Sequence, residues 1–338
     1  VGGARQLVTL ADIALRAGVS RATAARSLAG RGYVSPEKRK AVTEAARDLG
    51  YVPNDIARSL RTRRTKVIGL LISDPANPFY GEIAREVAAV ARQAGYHVML
   101  CTSGDEPAVE AEYLEVLERA RVDGVIITAT PRAATRLRDM AERGIPVVQI
   151  DRVAVRRGID SVTVDNESAA RAATEHLINA GHRRIGIITG ATELMTGNAR
   201  LAGYLAALRS HHIPVQEELI YAGSFLADHG RSATTALLQL SERPTAIFAA
   251  NNVLAEWCYL TLVAEGLRVP TDVSLVGFDD VPWMRIVQPA LTTVRQPIND
   301  MARLAGELLF SRLLGQRSRE KHASFTSELV VRGSVREL

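Results

Sequence analysis

Apolar positions in the first fifty residues recur at helical spacing, whereas beyond residue 66 they gather into short continuous runs. Leu10, Ile13, Ala14 and Ala17 form one stripe, opened by Thr9 with Asp12 in the first turn and closed by Gly18. Ser20 then caps a second helix from Arg21 to about Leu28, so two short helices meet at a tight turn. Ser35-Pro36-Glu37 announces a third helix: a cap, a proline at the first helical position and an acid on the dipole. It runs to Leu49 and stops at Gly50.

From Val67 the pattern becomes strand, amphipathic helix, strand. Val67–Ile72 is followed by a helix from about Phe79 to Ala94, then Tyr96–Cys101, a helix around Glu110–Arg119, Gly124–Ile127 and Pro146–Ile150. The rhythm restarts at Ser161–Val164 and continues through Arg184–Ile188, Leu219–Ala222, Thr245–Ala249 and Val273–Gly277. Strands that are nearly all apolar and alternate with helices predict parallel sheets covered on both faces. The expected architecture is therefore α/β, two lobes of doubly wound parallel sheet behind an all-α helix-turn-helix head. The expected domains are a head over 1–53, a hinge and linker over 54–66, and a body over 67–338. Within the body, lobe one would comprise about 67–160 plus 296–338, and lobe two about 161–295.

Charge sharpens the division of labour. Residues 1–66 hold fourteen Lys/Arg against five Asp/Glu, a net of +9, while the whole chain carries +5, leaving the other 272 residues at −4. A basic, helix-patterned head on a mildly acidic body is the footprint of a polyanion binder with a second task. No apolar run reaches the ~18–20 residues that cross a bilayer, and the first residues lack the apolar core of a secretion signal. A cytoplasmic, nucleoid-associated protein is expected, with Cys101 and Cys258 as packed, reduced thiols.

The motifs then become specific. Val8-Thr9-Leu10-Ala11-Asp12-Ile13-Ala14, Ala17-Gly18-Val19-Ser20, Val34-Ser35-Pro36, Leu49 to Asn54 and Asp55-Ile56-Ala57-Arg58-Ser59-Leu60 together resemble the LacI–GalR family of repressors, and the likeness continues along nearly the whole chain. The resemblance implies a periplasmic-binding-protein-like body and a DNA-facing set of Thr9, Leu10, Ser20, Arg21, Ala22, Thr23, Arg26, Tyr33, Asn54, Ala57 and Leu60. Arg21, Ala22 and Arg26 would face base edges in the major groove, where an Arg reads guanine or holds phosphate. Asp55 to Arg61 is too short to be a stable helix alone, and Leu60 would wedge into the minor groove with Ala57 beside it. Thr62 to Lys66 reads as a basic linker. Two positions of the second helix depart from the family: Ala25 stands where Ser is usual and Ala29 where Asn is usual.

Open α/β sheets bind ligands beyond the carboxyl ends of their strands. The polar and aromatic residues there are Asp74, Asn77, Phe79, Tyr80, Asp151, Thr196, Arg200, Phe225, Asn251 and Asp279, and the resemblance makes them effector-contacting positions. Arg200 and Asp279 lead, as a charged donor and acceptor for hydroxyls or a carboxylate; Phe79, Tyr80 and Phe225 would stack on a ring. Asn252 replaces the Asp usual in the family. The chain holds no G-x-G-x-x-G after a strand, no phosphate-cradling loop and no G-x-S-x-G elbow, so neither an enzyme nor a cofactor or metal site is expected. The expected function is a sequence-specific transcriptional repressor, a homodimer on a near-palindromic DNA operator, controlled by a sugar or related metabolite. Only seven residues follow the strand-like segment Phe325 to Val331, which leaves no heptad-bearing tail for a tetramer.

Overall fold

The computed structural model describes residues 8–30, 32–51, 64–316 and 319–338, in two compact units that divide between Thr65 and Lys66. Asn54, Ala57 and Leu60, with the expected hinge helix, lie outside the described residues.

In the first unit, α1 (Leu10–Arg16), α2 (Arg21–Leu28) and α3 (Pro36–Asp48) enclose a small core of Ile13, Ala14, Ala24, Val42 and Ala45. Complete burial of Ile13 and Val42 is worth about 1.5–3 kcal/mol each. Thr9 and Asp12 form a reciprocal capping box: the Asp12 amide donates to the Thr9 hydroxyl, and the Thr9 amide donates to the Asp12 carboxylate at 2.8 Å. The Thr9 hydroxyl, which also donates to that carboxylate at 2.7 Å, and the Thr9 amide hold the Asp12 carboxyl below its usual range. The tight turn after α1 needs Gly18, whose φ of 63° is left-handed; the Val19 amide can then donate to the Ala14 carbonyl at 3.0 Å. Ser20 caps α2 by accepting from the Thr23 amide at 3.1 Å. Ser35 occupies the cap position of α3 but makes no side-chain cap bond, so Pro36 with its fixed φ opens that helix.

The second unit is built on two six-stranded sheets. The first contains β1 (Val67–Ile72), β2 (His97–Thr102), β3 (Gly124–Ile127), β4 (Val147–Ile150), β5 (Asp160–Val164) and β11 (His322–Phe325), in the order β2-β1-β3-β4-β5-β11. The second contains β6 (Ile185–Gly190), β7 (Ile220–Gly223), β8 (Ala246–Ala249), β9 (Ser274–Phe278), β10 (Thr292–Arg295) and β12 (Glu328–Val330), in the order β7-β6-β8-β9-β10-β12. All pairings are parallel except β10 with β12. Both sheets thus repeat one doubly wound order, with its switch point beside the first strand of each lobe.

The intervening helices cover both faces of each sheet: α4 (Pro78–Gln93), α5 (Pro107–Arg119), α6 (Ala134–Glu142) and α12 (Ile298–Leu313) in lobe one, and α7 (Asn166–Asn179), α8 (Met195–Ser210), α9 (Ala227–Gln239), α10 (Asn252–Ala264) and α11 (Trp283–Ile286) in lobe two. Cys101 and Cys258 are both free and buried in these cores.

Two expected boundaries need correction. The strand at Ser161–Val164 does not begin lobe two: β5 pairs with β4, so the chain crosses only at Asp165, which caps α7. The segment Phe325 to Val331 is not one strand either. It is split between β11 in the first sheet and β12 in the second, so the tail after 326 belongs to lobe two. An apolar strand fits either sheet by composition, and only its hydrogen-bonded neighbours decide. Lys66, read as linker, is part of the body: its amide donates to Asp123 and its ammonium lies 4.1 Å from the centre of the Tyr96 ring.

Candidate effector cleft and reading head

The ends of β1, β4, β6, β8 and β9 open on one cavity of about 280 Å3 between the lobes. All ten residues singled out at strand ends line it, joined by Ser73, Asp105 and Gln296. The duplicated architecture places its two inner carboxylates. Asp151 follows β4 and Asp279 follows β9, the equivalent strands of the two sheets. Each amide bonds the next strand, Asp151 to the Val162 carbonyl at 2.9 Å and Asp279 to the Val294 carbonyl at 2.8 Å. Each residue then turns left-handed, at φ 71° and 69°, a conformation Asp tolerates better than most residues.

Between these carboxylates lies Arg200, projected from α8 and buried. Its Nε donates to Asn166 at 2.8 Å, Nη1 donates to the Ala250 carbonyl at 2.6 Å, and the guanidinium stacks 3.7 Å from the centre of the Phe278 ring. Burial lowers its pKa, against the attraction of Asp279 and Asp151. Burial also pushes the Asp279 carboxyl up, opposed by Arg200 and by the Gln296 amide, which donates to it at 2.6 Å. Asp151 is pushed up to about 6, chiefly by burial, with Arg152 and Arg200 pulling the other way.

Three further positions at the cleft were not in the sequence-based set. Arg152 is 1% exposed, and its Nη2 donates to Asp105 at 2.5 Å and to the Tyr80 hydroxyl at 3.4 Å, fixing one wall. Gln296, at the second crossing between lobes, orients Asp279. Asn252 bridges the cleft: its Nδ2 donates to Asn77 Oδ1 at 2.7 Å, a bond an Asp could not donate. That bond joins the two lobes. Helix capping falls instead to Asn251, which accepts from the Leu254 amide at 2.7 Å. Asn77 likewise caps α4 by accepting from the Phe79 amide. Phe225 fits because Gly190 leaves the space, a Cβ there meeting the ring at 2.2 Å. Phe79 is mostly core, packed edge-on to Tyr80. Thr196 is buried, and Asp74 accepts from the Ala76 amide.

The raised pKa of Asp151 makes a pH prediction. If ionised Asp151 accepts from ligand hydroxyls, effector affinity should fall as pH drops through about 6, approaching tenfold per unit below that point. Stability runs the other way. A folded pKa above 3.8 gives a contribution present in full below 3.8 and lost as pH rises through about 6. Thermal unfolding from pH 5 to 8 should show this slope in the ligand-free protein and a flatter one in Asp151→Asn; identical slopes would remove Asp151 as its source.

In the head, Ala24 and Ser27 are the buried face of α2, leaving Arg21, Ala22 and Arg26 exposed on the other side. Thr23 and Ser20 share a hydroxyl contact at 2.9 Å at the start of α2. Tyr33 stands 87% exposed, while Leu10 packs against the core and Thr9 caps α1. The structure therefore brings Ser20, Arg21, Ala22, Thr23 and Arg26 together on one helix. For Thr9 and Leu10 it supplies a folding role.

Among the described residues no helix is long and apolar enough to cross a membrane. Two family models match the chain: "Periplasmic binding proteins and sugar binding domain of LacI family" over residues 65–328, and "Bacterial regulatory proteins, lacI family" over residues 9–54. The chain is 35% identical over 332 residues to the HTH-type transcriptional repressor PurR of Proteus mirabilis (strain HI4320), covering 97% of each. Among solved structures it resembles the transcriptional regulator CelR in its cellobiose complex, with a TM-score of 0.73, 32% identity and coverage of 97% and 99%. It also resembles the lac repressor dimer bound to operator and the anti-inducer ONPF, with a TM-score of 0.84, 26% identity and coverage of 98% and 100%. With both units matched and a relative this similar end to end, the chain belongs to the LacI family: it is a DNA-binding transcriptional regulator with an effector-binding domain, not an enzyme.

Proposed function

We propose that the protein is a homodimeric repressor that grips a near-palindromic operator in the cytoplasm, on the nucleoid, and is controlled by a small neutral polyhydroxyl compound bound between its lobes. The observation that carries the effector class is the convergence of Arg200 with the buried carboxylates Asp151 and Asp279 on one cavity flanked by Phe225 and Tyr80. Carboxylates accept from neighbouring hydroxyls, the guanidinium region donates, and a ring face covers the apolar side of a sugar. Five carboxylates line the cavity, Asp74, Asp105, Asp151, Asp228 and Asp279, against the cations Arg200 on its wall and Arg152 behind it. That balance disfavours an anionic ligand such as a sugar phosphate. The volume, about 280 Å3, sits at the lower edge of ordinary ligand sites and suits a single ring.

On the DNA side, Arg21, Ala22 and Arg26 read base edges, Ser20, Thr23 and Tyr33 hold the backbone, and Asn54, Ala57 and Leu60 belong to the hinge. Ligand changes the angle between the lobes and so the state of that hinge. A coupling of about 1–3 kcal/mol would alter operator affinity some 5–150-fold.

The test is a thermal-shift panel of neutral pentoses and hexoses, their phosphates and free purine bases, followed by gel retardation on genomic fragments with each hit. A neutral sugar should raise the melting temperature and change retardation. A phosphate or purine that binds more tightly than every neutral sugar would discard this effector class.

A further inference from the structure

Asn252, the first residue of α10, is 2% exposed, and both polar ends of its side chain are engaged. Its Oδ1 accepts from the Val253 amide at 2.9 Å, and its Nδ2 donates to Asn77 Oδ1, in the other lobe, at 2.7 Å. Asn77 Oδ1 accepts a second bond from the Phe79 amide at 3.0 Å, so both of its lone pairs are used. These partners fix which way round each side-chain amide lies. Turning Asn252 over would set oxygen against oxygen at Asn77 and an NH2 against the Val253 N–H. Turning Asn77 over would strip α4 of its cap. One oxygen of lobe one therefore serves both as a helix cap and as the acceptor for lobe two. The Asn252 backbone amide, in turn, donates to the Asp279 carboxylate on the wall of the inner cavity, at 3.4 Å.

We infer that Asn252 is a positioning residue: its bond to Asn77 is a clasp that the chain closes by itself, favouring the closed arrangement of the lobes before any effector binds. Both partners are side chains of this chain, and no ligand atom is needed to complete the bond. Both are buried, so water competes poorly for either while the lobes stand together. Opening exchanges the bond for bonds to water, and the net preference for closure from one neutral pair is about two- to tenfold. An effector that fits the closed cleft then meets a larger competent fraction of the protein and binds more tightly, by that factor at most. A ligand that engages Asp279 also acts on the residue that bears the clasp. Neither the bond nor its effect depends on which effector binds.

The experiment measures lobe separation in the full chain without effector, by pulsed electron resonance between spin labels at Arg156→Cys and Glu193→Cys. These exposed positions face one another, from lobe one and lobe two, across a separate cavity that neither clasp residue lines. Cys101 and Cys258 are buried, and an excess of unlabelled chain leaves only distances within one chain. Asn252→Asp keeps the side chain's size but turns an oxygen toward Asn77 where a donor is needed, and should lower the closed-to-open ratio at least about twofold. Asn77→Asp keeps an acceptor for both donors and should leave the distances unchanged. Asn252→Ala and Asn77→Ser each remove one partner, serine retaining the cap of α4. The double variant should open no further than either alone. Superimposable distances for the unaltered protein and Asn252→Asp overturn the clasp. So does an Asn77→Asp protein that opens as far as Asn252→Asp, or an additive shift in the double variant, which marks two independent packing effects. Should Asn252→Asp fail to fold, the alanine and serine cycle decides alone.

Discussion

Arg200→Ala is expected to abolish the effector response, with ligand affinity falling at least about a hundredfold. Arg200 is the only cation placed between Asp151 and Asp279 in the described cavity, and it is held there by Asn166, the Ala250 carbonyl and the Phe278 ring. Its loss removes the donor a polyhydroxyl ligand needs and leaves two buried carboxylates without a common counter-charge. Removing one partner of a buried ion group costs about 3–5 kcal/mol, so a lowered melting temperature should accompany the lost response. Arg200→Lys separates the two effects. Lysine keeps the charge but cannot make both planar contacts or stack on Phe278, so stability should partly recover while the response does not. Operator retardation with and without saturating sugar reads the outcome. Arg200→Ala protein that still changes its DNA affinity on adding sugar would show that the effector is recognised elsewhere.

The second large effect is expected at Arg26. It lies on the exposed face of α2, one turn from Ala22, and forms no part of the head's core. Arg26→Ala should therefore leave the head folded and weaken operator binding by about 1–3 kcal/mol, roughly 5–150-fold, if the guanidinium reads a base. Affinity for unrelated duplex should change much less, and discrimination at one operator position should relax. A phosphate contact gives a different signature: a uniform loss over all sequences and a salt slope shallower by about one. Titrations in salt on operator and scrambled DNA distinguish these cases. Unchanged operator affinity would take Arg26 out of the interface.

Much of this molecule is legible in the sequence because its signals are local. Thr9, Gly18, Ser20 and Gly50 punctuate the head by cap and turn chemistry that depends on a few neighbouring residues. The strand-end rule gathers Asp74, Arg200 and Asp279 because parallel sheets send all such ends to one side. What sequence alone does not show depends on partners far along the chain. Asn252 finds Asn77 across 175 positions, Gln296 finds Asp279, and Arg152 finds Asp105; nothing near any of them marks the match. The capping box at Thr9 was half visible, as an acid in the first turn. The lobe boundary was misplaced at Ser161 because β5 carries the same apolar texture as strands of either sheet.

The way the chain threads the body also bears on its birth. Residues 8–51 contain all three helices of the reading head, so they can fold as soon as they leave the ribosome. The sensor cannot. Its second sheet waits for β12, and its edge is tied by Ser334, whose hydroxyl donates to the Leu275 carbonyl and accepts from the Thr292 amide, and by the Leu338 amide on Ala180. At synthesis speeds of ≈ 5–20 residues per second, a nascent chain spends tens of seconds with a finished head and no working receptor. During that interval the three helices of the head stand complete without the sensor that regulates them.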